Sequence, residues 1–178
     1  QMSHEYPGQA YGMPSNSALP ALSRNSHVYG EGDELYAAML ADIANATEII
    51  RIESYIFSGD EIGWRFAAAL VARAQAGVTI RVQIDAAGAL FEGSKKLFQS
   101  LRQAGVDARW FNRWRWGQPA RYNRRTHRKL LIVDRSCLYV GGFNIHRESS
   151  FDCVGVSRWR DTHVRLAGQL IDQANDVF

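Results

Sequence analysis

The sequence is short of cysteine, short of proline beyond its first residues, and without any long apolar run. Cys137 and Cys153 are its only two cysteines. They have no metal-type spacing and no second pair to complete a zinc site, and they are too few for a disulfide framework. They read as two buried free thiols, with a disulfide between them as the alternative. Three of the four prolines, Pro7, Pro14 and Pro20, fall among Gly, Ser and Asn near the start. Residues 1–24 therefore read as an extended or poorly ordered leader, and residues 25–178 as one domain. No stretch approaches the roughly 18 apolar residues that a membrane-spanning helix needs. No charged segment followed by an apolar one opens the chain, so no signal peptide is visible. The chain starts at Gln1 and stops inside a helical pattern, which leads us to expect a piece of a longer protein.

Acidic residues are missing from one segment. Arg109 to Lys129 holds eight Lys or Arg and no Asp or Glu, in a chain of net charge +3. The other residues carry −5, the difference between 3 and 8. A focused basic segment on an acidic body points to an anionic partner, the phosphates of lipid or nucleic acid. Within it, "RWFNRWRWGQPARYNRR" interleaves Trp and Arg. Three readings fit: an anchor at an anionic membrane surface, a nucleic-acid groove with stacking aromatics, or a surface loop whose tryptophans pack on the core.

Periodicity supplies the rest of the architecture. "DELYAAMLADIANA", "DEIGWRFAAALVARAQAG" and "SKKLFQSLRQAG" carry helical stripes, the last with Ser94 as N-cap and Gly105 as stop. "EIIRIESYIF", "VTIRVQID", "VDARWF", "HRKLLIVD", "CLYVGGF" and "RDTHVRLAG" read as strands. A tight turn at Asp134, Arg135 and Ser136 joins two of them into a hairpin. Alternation of this kind implies an α/β domain, a mixed sheet with helices packed on both faces.

The chemistry concentrates in residues 126–144, "THRKLLIVDRSCLYVGGFN". On a strand, His127 and Lys129 share a face about 7 Å apart, and Arg128 points away. The pair sets a nucleophile or base beside a permanent positive charge. Lys129 can hold a phosphate oxygen, and Asn144 adds an amide donor for a second. Gly141 and Gly142 allow close approach of either a ligand or a neighbouring strand. Asp134 sits at the turn with the opposite parity to His127, the place of an acid that bonds nearby backbone. Glu53 and Tyr55 share a strand face, where they line the pocket or pack structurally. Glu148 is a further candidate for the site, and His146 reads as incidental. His163 has the strand parity of Asp161, as a support to the site or as a satisfied polar group.

His127-x-Lys129-x4-Asp134, followed after six residues by Gly141-Gly142-Phe143-Asn144, resembles the HKD signature of the phospholipase D superfamily. "ESYIFSGDEIG", "GVTIRVQID", "NRRTHRKLLIVD", "GGFNIHRE" and "WRDTHVRLAG" resemble its cardiolipin synthase branch. The Gly-Gly pair departs from the Gly-Ser of the wider superfamily and favours that branch. The resemblance implies a phospholipase D-like fold and a phosphatidyltransferase that works through a phosphohistidine on His127. It assigns phosphate binding to Lys129 and Asn144, and orientation of the catalytic His to Asp161. It implies no metal and no cofactor, a phospholipid headgroup phosphate as substrate, and a peripheral place on the cytoplasmic side of an anionic membrane. One feature is missing. Such a site needs two motifs, because one His cannot be base and acid in the same step, and this chain has one. A second HKD half further along the full-length chain, or a homodimer mate, would supply it. The rivals are a homodimeric single-motif endonuclease and a non-catalytic module that binds lipid or nucleic acid.

Overall fold

The computed structural model describes residues 26–86, 93–111, 127–167 and 171. The leader, most of the basic aromatic segment and all but one residue of the closing helical pattern lie outside the described residues. Seven strands form one sheet: β1 His27–Tyr29, β2 Ile49–Ser54, β3 Thr79–Asp85, β4 Asp107–Phe111, β5 Leu130–Val133, β6 Cys137–Gly141 and β7 His163–Leu166. Their spatial order is β1-β7-β6-β5-β2-β3-β4. β2, β3 and β4 pair in parallel, and the other contacts are antiparallel. The sheet is mixed, as the alternating pattern predicts.

Helices α1 Gly32–Ala44, α2 Glu61–Gln75 and α3 Ser94–Gln103 connect the first four strands. Each buries its apolar stripe: Leu35, Tyr36, Met39 and Ile43 on α1, Ile62, Phe66 and Leu70 on α2, Leu97, Phe98 and Leu101 on α3. These side chains join Ile50, Ile52, Ile80, Val82, Ile84, Leu131, Val133, Cys137 and Tyr139 in the main core. Alternation turns the intervening strand residues to the opposite face. There a smaller cluster joins Ile132, Leu138 and Ile171. No helix among the described residues is long and apolar enough to cross a membrane.

Caps and staples fix the joints. Asp60 caps α2 by accepting from Gly63 N at 3.0 Å. Ser94 departs from its expected capping role. Gly93, with φ +74°, stands at the cap, and Ser94 Oγ instead donates to Phe57 O at 3.1 Å. That bond ties α3 to the segment following β2. Asp42 on α1 accepts from Cys137 Sγ, Tyr139 Oη and Arg165 Nε, and so holds α1 to β6 and β7. Both cysteines are free thiols. Cys137 is buried, whereas Cys153 is half-buried. Cys153 lies on a short helix, α4 Phe151–Val154, between two 3-10 turns. No periodicity in so short a stretch foretells it.

Asp134 adopts φ +51° at the hairpin turn, a left-handed conformation that short polar side chains tolerate. Its carboxylate accepts from the backbone N–H groups of Thr47, Glu48 and Ile49, each at 2.9 Å, and from Thr47 Oγ1 at 3.2 Å. This motif residue staples the start of β2 to the β5–β6 hairpin. Burial opposes its charge, but the backbone donors outweigh burial and hold its pKa below the usual carboxylate range. Asp134→Ala should destabilise the fold by about 2 kcal/mol, since the lost bonds run to a charged but partly solvated acceptor. A lowered folded pKa means this contribution is complete above the unfolded value near 3.9 and lost as pH falls through the lower folded value. Urea unfolding should therefore show the gap between wild type and Asp134→Asn closing below about pH 4.

Candidate active site

The segment carrying His127 and Lys129 is not itself a strand, because β5 begins at Leu130. What brings the two side chains together is Tyr55. β2 stops at Ser54, so Tyr55 lies just past the strand, half-buried. His127 stacks on it, with ring centroids 4.6 Å apart and planes within 14°. Lys129 Nζ sits 5.5 Å from the centroid of the same ring and donates to His127 O at 2.8 Å. Imidazole and ammonium thus share one aromatic platform, by stacking and by cation–π attraction.

Glu53 takes a different course from Tyr55. It pairs with Leu130 and so lies on the opposite sheet face from Lys129. Buried there, it accepts from Arg128 Nε at 3.2 Å. Burial raises its pKa against the pull of Arg128. The shared pocket face expected for Glu53 and Tyr55 is broken where the strand ends. Glu53 holds the middle residue of His127-Arg128-Lys129 from behind.

Asn144 is set by the segment after Tyr55. Ile145 N donates to Ile56 O at 3.2 Å and Ser58 N to Ile145 O at 3.0 Å. Ile56 N donates to Asn144 Oδ1 at 3.0 Å. A backbone N–H can only donate, so this bond selects the oxygen and leaves Nδ2 as a donor. Tyr36 Oη donates to Asn144 O at 2.6 Å. In the sequence Tyr36 is simply one member of an apolar stripe, and nothing in its spacing marks this second task.

The glycine pair lets the approach to β7 come close. A Cβ on Gly141 would lie 2.4 Å from Thr162 O and 2.5 Å from His163 Cα, and one on Gly142 would lie 2.0 Å from Asp161 Oδ1. Neither glycine has positive φ, so the requirement is space rather than conformation. Of the two alternatives, ligand or neighbouring strand, the observed neighbour is the chain leading into β7. Asp161 rests over Gly142 and accepts from Thr162 N at 2.7 Å. Among the described residues it has no hydrogen bond to His127, its expected partner, because it caps the start of β7 instead. Its charge is felt at Lys129: burial lowers the pKa of that ammonium, and Asp161 opposes the shift.

Glu148 is turned to His146, with Oε2 2.8 Å from Nδ1. His146 Nε2 meets Ser149 Oγ at 2.9 Å. Burial lowers the His146 pKa, and Glu148 works against it. Glu148 therefore faces a buried His of the following turn rather than the Tyr55–His127 pair. His163 is buried at 1% exposure, and neither ring nitrogen has a hydrogen-bond partner among the described residues. Burial takes its pKa down to about 4, Asp161 resisting and Lys129 assisting.

Comparison with known proteins shows the family and the fold. The family model described as cardiolipin synthase, PLD-like domain, matches residues 39–170. The major cardiolipin synthase ClsA of Bacillus subtilis is 36% identical over 166 residues, which are 92% of this chain and 34% of that protein. Cardiolipin synthase A of Pseudomonas fluorescens is 33% identical over 168 residues, 93% of this chain and 35% of that protein. The chain thus spans about a third of the length of the curated relatives it matches. Among solved structures, the phospholipase D family member Nuc from Salmonella typhimurium superposes with a TM-score of 0.64 at 20% identity, covering 85% of this chain and 91% of that one. The phosphatidylserine synthase of Haemophilus influenzae gives 0.64 at 15% identity, covering 85% and 35%.

Proposed function

The chain belongs to the family of the cardiolipin synthase PLD-like domain, and from that premise we propose that the whole protein is a phosphatidyltransferase. His127 attacks the phosphorus of one phospholipid. An N–P bond forms, a P–O bond breaks, and the headgroup alcohol leaves with a proton from a general acid outside this chain. The glycerol end of phosphatidylglycerol then displaces His127, loses its proton to that same group and takes the phosphatidyl unit. Lys129 and Asn144 Nδ2 hold phosphate oxygens as charge builds on phosphorus. Exclusion of water favours transfer over hydrolysis.

The observation that carries this reading is the convergence on Tyr55 of His127 and Lys129, with Asn144 fixed alongside through Ile56. The general acid belongs to a second HKD motif, which we place in the remainder of a full-length chain of the relatives' size. The substrate is the phosphate of a phospholipid headgroup, met by peripheral docking on the cytoplasmic side of an anionic membrane. A homodimer of this chain is the second reading, favoured by the fold match that spans 91% of Nuc. In that arrangement the partner's motif supplies the acid, and the reaction is phosphodiester hydrolysis, as in an endonuclease.

The test is direct. The full-length protein, given phosphatidylglycerol vesicles in EDTA, should form cardiolipin and glycerol in equal amounts. The 178-residue chain alone should form neither. A stable symmetric dimer of this chain that cuts DNA in EDTA, beside a full-length protein that makes no cardiolipin, would transfer the assignment to the second reading.

A further inference from the structure

Glu53 pairs with Leu130, Leu130 with Val140, and Gly141 with His163. One step along these antiparallel registers, Ser54, Lys129, Gly141 and His163 fall in a single row across the sheet. Gly141 N donates to Lys129 O at 3.3 Å, consistent with that row. Side chains in a row share a face. This is the helix-covered face, two residues from the apolar row of Ile52, Leu131 and Tyr139. Three members of the row are polar, and the one between Lys129 and His163 has no side chain. Beside these polar members lies a small cavity of about 20 Å³, lined by Glu53, Ser54, Lys129 and His163 together with Met39 and Phe143.

Size limits what the cavity can hold. One water needs roughly 10–15 Å³, so the space has room for a water. Chemistry indicates what it should join. The His163 ring is buried at 1% exposure with both nitrogens unpartnered among the described residues, and buried polar groups are as a rule hydrogen-bonded. A neutral imidazole has one accepting nitrogen, and an ammonium has three N–H donors. One of those of Lys129 goes to His127 O, which leaves others to give.

We propose that a single water in this cavity links the His163 ring to Lys129 Nζ, making His163 the positioning residue that keeps the ammonium aimed at phosphate. The proposal rests on the reading of Lys129 as the phosphate-holding cation. It separates His163 from the nucleophile: the ring acts on the cation through the interior of the sheet, and it never touches the substrate.

The experiment measures acetylation of Lys129 by acetic anhydride against pH in the full-length protein, read by peptide mass spectrometry, with and without inorganic phosphate. His163→Leu removes both ring nitrogens. It should lower the pH at which Lys129 becomes reactive by about one unit and weaken protection by phosphate about tenfold, the worth of one hydrogen bond to a charged group. His163→Gln, whose amide can hold the water, should restore both. His163→Phe keeps a ring without nitrogens and should match His163→Leu, which covers the case in which leucine unfolds the chain. A folded Leu or Phe variant with wild-type titration and protection would overturn the link, and so would a Gln variant as impaired as Leu. Failure of phosphate to protect wild-type Lys129 would strike instead at the phosphate reading, while the titration shift between wild type and His163→Leu would still decide the link.

Discussion

His127→Ala, made in the full-length protein, is expected to lower conversion of phosphatidylglycerol to cardiolipin by about 10⁴-fold or more. The imidazole is the group proposed to form the bond to phosphorus, and alanine has nothing to replace it. The change should leave the fold nearly untouched. His127 is exposed, and its ring contact is with Tyr55 at the end of β2. Lys129 and Asn144 remain, so the variant should still bind phosphate while transfer stops. A base quench during turnover of lipid labelled at phosphorus should trap label on wild-type protein and none on the variant. An alanine enzyme that ran at the wild-type rate would end the nucleophile assignment.

Lys129→Ala should cost about 10²–10³ in kcat, the usual loss when one preorganised donor to a developing oxyanion is removed. Arginine should recover only part of it. The lysine ammonium is a compact charge set over the Tyr55 ring and bonded to His127 O, and the broader guanidinium fork does not reproduce that placement. The pH profile carries a second signature. Burial lowers the Lys129 pKa and Asp161 opposes the shift. Activity needs the charged form, so the alkaline limb should fall below the ordinary lysine range near 10.4. Asp161→Asn removes the opposing charge and should move that limb lower still. A limb that stays in place in Asp161→Asn would separate the two side chains functionally.

Several site features were legible without coordinates because they are local. The hairpin acid Asp134 could be assigned to backbone bonding from its place at a turn and its parity. Asn144 stood out by its spacing from the glycine pair. Other features were not legible, because each depends on where a strand stops or which strand lies beside it. Glu53 and Tyr55 share a parity on paper, yet β2 ends between them and sends one to Arg128 and the other under His127. Asp161 looked like the orienting acid from its motif, but its carboxylate bonds Thr162 N above Gly142. His163 was one polar residue among several until registry set it across from Lys129, with Gly141 between.

By itself, the amino-acid sequence determined the alternation of strands and helices and the spacing that marks the phosphate chemistry. Both follow from periods of 2 and 3.6 residues and from side-chain type, which are properties of short stretches of chain. Only the tertiary structure decided which polar groups face one another. Register and strand ends are set by the packing of the whole sheet. A shift of one residue there sends a side chain to the other face, and no local pattern encodes it.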